Sequence, residues 1–176
     1  MDPLNRNRYN RHPGHYHAQM AQPVLMEQSR SIPVNGEDAF RGTLMMNVAA
    51  VFHRWYGPFP AIRQVVSKDN TWGTVGQTRT LKMAGGGSAV EELTKVDPPH
   101  YFTYEVGNIK GPLSLVAKGI DGEFEFTPAD TGTEATWRWK VYPRSILTRP
   151  AVAALLPFWH GWARQALEDL SNQLAH

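Results

Sequence analysis

The residues from about Thr148 to His176 constrain the fold most. Their apolar positions, Val152, Leu155, Leu156, Trp159, Trp162, Ala163, Ala166, Leu167, Leu170 and Leu174, advance in steps of three and four. That spacing puts them on one face of an α-helix. Gly161, Arg164, Gln165 and Glu168 fall on the other face. A helix of about 27 residues is about 40 Å long at roughly 1.5 Å per residue. Its broad apolar face carries two tryptophans and needs a large concave partner. Pro157 cannot donate to the carbonyl of Ala153, so a kink or a fresh start is expected near residues 153–157.

The preceding chain supplies the partner. Val24 to Val34 alternates as a first strand and ends at Pro33-Asn35-Gly36. Glu37 and Asp38 sit where acids favour the first turn of a helix. One or two short helices are expected between there and the break at Gly57-Pro58-Phe59-Pro60. Further strands are expected at Ile62–Ser67, Thr74–Met83, Ser88–Val96, His100–Val106, Leu113–Phe126 and Thr133–Tyr142. Asp69-Asn70, Gly85-Gly86-Gly87, Asp97-Pro98-Pro99 and Thr127–Gly132 supply the turns. Such short connections make an antiparallel meander. The expectation is one α+β domain, residues 23–176, with a curved seven-stranded sheet around the terminal helix.

The chain has 176 residues and is 41% hydrophobic, enough for a core of that kind. No apolar run approaches the roughly 20 residues of a membrane-spanning helix. The N-terminus has no apolar centre of a secretory signal, and cysteine is absent, so a cytoplasmic protein is expected. Arg6, Arg8 and Arg11 against Asp2 give residues 1–22 a net charge of +2, which is the whole net charge of the chain. The body is balanced and has no bulk electrostatic reason to bind nucleic acid. Residues 1–22 read as a disordered basic arm. His12, His15 and His17 match no closed metal site, so no metal is expected.

Strand alternation selects the inward side chains. Phe102, Tyr104 and Val106 face inward on the fifth strand, Phe124 and Phe126 on the sixth, and Ala135, Trp137, Trp139 and Val141 on the seventh. With Trp159 and Trp162 they make an aromatic interior, either a filled core or the wall of a pocket for a flat or lipid-like molecule. Arg79 alternates with Leu81 and Met83, and Glu91 with Leu93, so both charges point inward. Two readings stand: a structural pair, either an internal salt bridge or a rim pair exposed by strand twist, or a polar anchor for a ligand. His160 falls at the edge of the helical stripe, and His100 is placed to reach the interior.

Several segments, in this order, resemble a known superfamily. They are Gly76-Gln77-Thr78-Arg79, the glycine hairpin, Glu91-Glu92-Leu93, Asp97-Pro98-Pro99, Phe102-Thr103-Tyr104, Gly132-Thr133-Glu134-Ala135-Thr136-Trp137 and the terminal helix. The chain resembles the helix-grip proteins, which include birch-pollen-allergen-like proteins, START lipid-transfer domains and polyketide cyclases, over roughly residues 24–175. The resemblance implies a hydrophobic cavity between sheet and helix. It also implies that His53-Arg54-Trp55-Tyr56 borders the entrance, which leaves His53 and Trp55 as further candidates beside an ordinary helix end. The expected function is binding or transport of a small hydrophobic molecule. A cyclase- or aromatase-like enzyme using the same cavity is the alternative, with Arg79 polarising a carbonyl and Glu91, Tyr104 or His53 exchanging a proton. No nucleophile elbow, phosphate loop or zinc-protease motif supports catalysis, and no cofactor is expected. A third reading is an interaction protein acting through its arm or a sheet edge.

Overall fold

The computed structural model describes residues 21–68 and 72–176. The N-terminal arm with its three histidines, and the turn at Asp69-Asn70, lie outside the described residues. The strands are β1 (Val24–Ile32), β2 (Ile62–Ser67), β3 (Thr78–Met83), β4 (Ser88–Asp97), β5 (Tyr101–Lys110), β6 (Ala117–Ala129) and β7 (Gly132–Pro143). The helices are α1 (Gly36–Leu44), α2 (Val48–Val51), α3 (Arg149–Ala154) and α4 (Leu156–Leu174). All neighbouring strands are antiparallel, in the order β1-β7-β6-β5-β4-β3-β2. The meander is as expected from β2 to β7. Its closure by the first strand against the last, Val24 opposite Val141, is a long-range pairing that local pattern does not specify.

The short helices form where side chains satisfy their first backbone donors. Asn35 accepts from the Asp38 amide at 2.9 Å to start α1, and Asn47 accepts from the Ala50 amide at 3.3 Å to start α2. Helix stops at Val51, short of the Tyr56 expected from composition, because the chain turns into a bridge between Tyr56 and Phe59. The long C-terminal helix starts afresh as expected: α3 ends at Ala154 and Pro157 lies in the first turn of α4.

Two strand starts differ from expectation. β3 begins at Thr78, not Thr74, because Gly76 takes φ 87° and the Gln77 side chain accepts from the Thr74 amide at 2.9 Å to close a turn. β6 begins at Ala117, not Leu113, because Gly111 at φ 106° leads into a 3-10 turn over Pro112–Leu115. On α4, Arg164 and Glu168 are exposed as expected. Gly161 is buried instead, because the Tyr56 ring lies where its Cβ would be.

The core is the concave sheet face against α4. Trp159, Ala163, Leu167 and Leu170 are almost fully buried there, and β1 is the strand α4 packs against most. On the convex face Arg138 of β7 reaches Glu27 of β1 and Glu123 and Glu125 of β6, at 2.5, 2.8 and 2.5 Å. These groups are half-exposed, so the cluster ties three strands in register more than it stabilises them.

At the β6–β7 hairpin a glycine is pressed against neighbouring backbone. Gly132 has φ 138°, and a Cβ there would lie 2.3 Å from the carbonyl oxygen of Ile32. Gly86 also has a positive φ of 89°, but a Cβ would meet nothing within 4 Å. Gly86→Ala should therefore cost only local strain, roughly 1–2 kcal/mol. Gly132→Ala adds a backbone clash and should cost at least about 3 kcal/mol. Urea unfolding of the two variants tests this ordering.

Candidate functional site

The inward rows of the sheet build one wall. Phe102, Phe124 and Trp137 lie side by side on β5, β6 and β7, and Tyr104, Gly122 and Trp139 form the next row. Phe124 stacks on Trp137 with centroids 5.3 Å apart and planes 5° from parallel. Trp162 of α4 faces this wall, 5.9 Å from Trp137 and 5.8 Å from Trp139. Phe52, after α2, completes the group 4.7 Å from Trp162.

Gly122 makes the second row possible. A Cβ there would fall 2.1 Å from the Tyr104 ring. Without it, Tyr104 lies across β6 and its hydroxyl oxygen reaches both β7 indoles. Trp137 donates to it at 2.7 Å and Trp139 at 3.0 Å. The phenol oxygen is thus saturated as an acceptor, and its own proton has no acceptor among the described residues. Two indole donors on one oxygen polarise the remaining O–H and make it a better donor.

Between this wall and the helices lies a cavity of about 60 Å³; the empty space between its lining side chains, open mouth included, comes to about 680 Å³. A water needs roughly 10–15 Å³ of the smaller measure, so the hollow holds a few waters or a compact organic group. Eight candidates from the sequence line it: Arg79, Glu91, Phe102, Tyr104, Phe124, Trp137, Trp139 and Trp162. Three do not. Trp159 is fully buried between α4 and the sheet, 5.2 Å from Trp137. His53 is held outside by the Ala50 carbonyl at 2.9 Å and lies 3.7 Å from Asp169 of α4. Trp55 is half-exposed and lies against Gly85. The segment they belong to packs along α4, with Tyr56 over Gly161 and Phe158 over Gly57, and it is Phe52 that reaches the cavity. His100 is exposed rather than inward, since the chain at the β5 start turns it out of the sheet. His160 is the boundary residue its position predicts, 3.3 Å from Gln28.

Sequence alternation missed the contributions of the helical layer and the rim. Thr43 and Met46 lie at or just after the end of α1, and Met83, Ile109 and Leu113 stand at strand ends and in the 3-10 turn. The one available signal was Gly122, a glycine at an inward position of an otherwise alternating strand.

Arg79 and Glu91 are direct cross-strand partners, and the Arg79 Nε donates to Glu91 at 2.6 Å. Both side chains are only about a tenth exposed. The guanidinium also lies 3.9 Å from the Trp72 ring centroid. Such a pair is costly to break from one side, because the surviving ion is stranded out of water. The Thr43 hydroxyl and the Trp162 indole N–H are buried without a protein partner among the described residues. Burial first, and then the nearby Glu91 carboxylate, push the Tyr104 pKa well above the ordinary tyrosine value. The two indole bonds and Arg79 pull the other way and are outweighed. Tyr104 therefore stays protonated at neutral pH and acts as a donor, not a base.

Two outcomes follow. Arg79→Met should destabilise by about 3 kcal/mol by stranding Glu91, and Arg79→Met/Glu91→Leu should recover most of that loss in urea unfolding. The raised pKa of Tyr104 contributes stability that is intact below the unfolded-state value of about 10 and is lost as pH rises above it. Phenolate absorbance from Tyr104 should then appear only together with unfolding. A wild-type minus Tyr104→Phe difference titration checks this.

Residues 23–175 match the family described as polyketide cyclase / dehydrase and lipid transport, and the chain belongs to that family. No protein of curated function matches it in sequence. Among solved structures it resembles Ara h 8.0201, with 10% identity, a TM-score of 0.61, and 87% of this chain and 98% of that one covered. Ginseng major latex-like protein 151 from Panax ginseng gives 15% identity, a TM-score of 0.62, and 87% and 98% coverage. Protein Ms6760 from Mycobacterium smegmatis gives 18% identity, a TM-score of 0.61, and 85% and 90% coverage. At these identities the likeness concerns the fold alone, and it is the helix-grip fold.

Proposed function

We propose that this member of the polyketide cyclase / dehydrase and lipid transport family binds a small apolar or aromatic molecule between its sheet and α4. The ligand presents one hydrogen-bond acceptor to Tyr104. The observation that carries this reading is the Tyr104 O–H, left unspent on an oxygen that accepts from two indoles, in a wall of aromatic and aliphatic side chains. Phe102, Phe124, Trp137, Trp139 and Trp162 supply apolar contact, and a carbonyl or ether oxygen on the ligand meets the phenol. In this reading Arg79 and Glu91 anchor the wall and set its charge, since each already engages the other. A ligand bulkier than the hollow enters by displacing Met46, Met83 and Leu113, partly exposed side chains with adaptable rotamers.

A second reading, polarisation of a carbonyl for cyclase-like chemistry, is favoured by one observation: a polarised donor and a carboxylate, Tyr104 and Glu91, line the same cavity. That chemistry needs Glu91 to leave Arg79 and accept a proton. Conversion of a poly-carbonyl substrate, lost in Glu91→Gln with binding retained, would favour this reading over simple binding.

The test uses two ligands of equal size, acetophenone and cumene, after native mass spectrometry has been used to find any carried species. Calorimetry should show both binding to the wild-type chain. Tyr104→Phe should weaken acetophenone by roughly tenfold, the worth of one hydrogen bond, and leave cumene within about twofold, the scale of packing changes. Equal weakening of both ligands would remove Tyr104 from recognition. Absence of binding by either ligand, with no carried species, would remove the cavity.

A further inference from the structure

One pole of the molecule has a composition that the cavity does not explain. It gathers the start of β1, the β3–β4 hairpin, the end of β5 with its 3-10 turn, and the link from β7 to α3. Three large aliphatic side chains stand in solvent there: Leu115 is 74% exposed, Ile146 75% and Leu147 86%. They sit on ordered turns. Thr148 Oγ1 accepts from the Ser145 amide and donates to the Ser145 carbonyl, both at 3.0 Å, which leaves Ile146 and Leu147 at the tip. The Arg144 amide donates to Val116 at 2.8 Å, and its guanidinium donates to the Ser114 carbonyl, so this tip is tied to the turn that carries Leu115.

The charges of this pole have one sign. No Asp or Glu occurs in residues 83–90, 106–120 or 135–167. Lys110, Lys118, Arg144 and Arg149 are all exposed at this end. Arg149 also donates to the Gln22 carbonyl at 3.1 Å, at the start of β1. Aliphatic tips ringed by cations complement an anionic phospholipid surface, where the tips enter the acyl boundary and the cations meet the headgroups. Nucleic acid would leave the tips without a role, since aliphatic side chains offer bases no stacking face. Leu113, two residues before Leu115, lines the cavity, so the cavity rim lies beside these tips.

We propose that this pole docks the protein on anionic lipid bilayers, with Leu115, Ile146 and Leu147 inserting and the surrounding basic residues holding the headgroups. The proposal does not depend on what the cavity binds. It is tested by co-sedimenting the full chain with phosphatidylcholine vesicles, with and without phosphatidylserine, at low and high salt. Binding is expected only with phosphatidylserine and should fall as salt rises. Ile146→Asp/Leu147→Asp should reduce it at least roughly tenfold through lost apolar burial and added repulsion, and Arg149→Ala roughly fivefold. Both changes lie on the surface, so unchanged circular dichroism and melting temperature should accompany them. Failure of the full chain to bind phosphatidylserine vesicles would overturn the proposal. So would binding that the double aspartate variant leaves unchanged, because the aliphatic tips would then play no part in it.

Discussion

Much of this structure depends on where the indole N–H groups of the central tryptophans go. An aromatic core of this size stabilises through area and ring contacts, yet each indole brings a donor that costs about 1–3 kcal/mol when buried unpaired. Trp137 and Trp139 are satisfied by the same oxygen, that of Tyr104 two strands away. This requires Tyr104 to cross β6, and only a residue without a side chain permits the crossing, at Gly122. The indoles of Trp159 and Trp162 are left without partners among the described residues. The sheet wall is thus fixed by hydrogen bonds, while the helix wall retains an unmet donor in Trp162.

Legibility from sequence followed the range of the forces involved. The α4 stripe, the fresh start near Pro157 and the inward faces of β5, β6 and β7 were readable because period and local sterics determine them. That Arg79 and Glu91 lie on neighbouring strands was readable from the hairpin between them, but their register was not, since a glycine loop can hold a bulge; the structure sets them directly opposite. The pairing of β1 with β7 was not, since its partners are separated by most of the chain. Nor was the removal of Trp55 and His53 from the cavity. That depends on Arg54 reaching Asp169 at 2.7 Å and on Tyr56 and Phe158 lying over glycines, contacts between remote segments with no pattern of their own. Gly122 shows the intermediate case: its oddity is visible in sequence, but its meaning needs the neighbouring strands.

Family membership narrows the chemistry less than the cavity does. One fold serves many sites, so the helix-grip architecture argues for an enclosed space and no further. The cavity adds constraints. Its lining offers apolar surface, neutral donors at Tyr104, Thr43 and Trp162, and an ion pair whose two charges already face each other. A free cation or anion bound there would have to compete with that pair. A neutral acceptor faces no such competition.

Ligand size and ligand chemistry are therefore set by different parts of the same cavity. Chemistry is set by Tyr104 and the two indoles, which are buried and hydrogen-bonded, and so cannot adapt without losing their partners. Size is set by Met46, Met83, Ile109 and Leu113, which are partly exposed and sit where strands and helices end. Methionine and leucine rotamers interconvert at little cost, so the rim can yield where the wall cannot. Substitutions at the rim would change which shapes enter, and substitutions in the Tyr104–Gly122–Trp139 row would change which functional group is accepted. Variation among related chains with this wall should accordingly fall on the rim when ligands differ in bulk, and on that row when they differ in polarity.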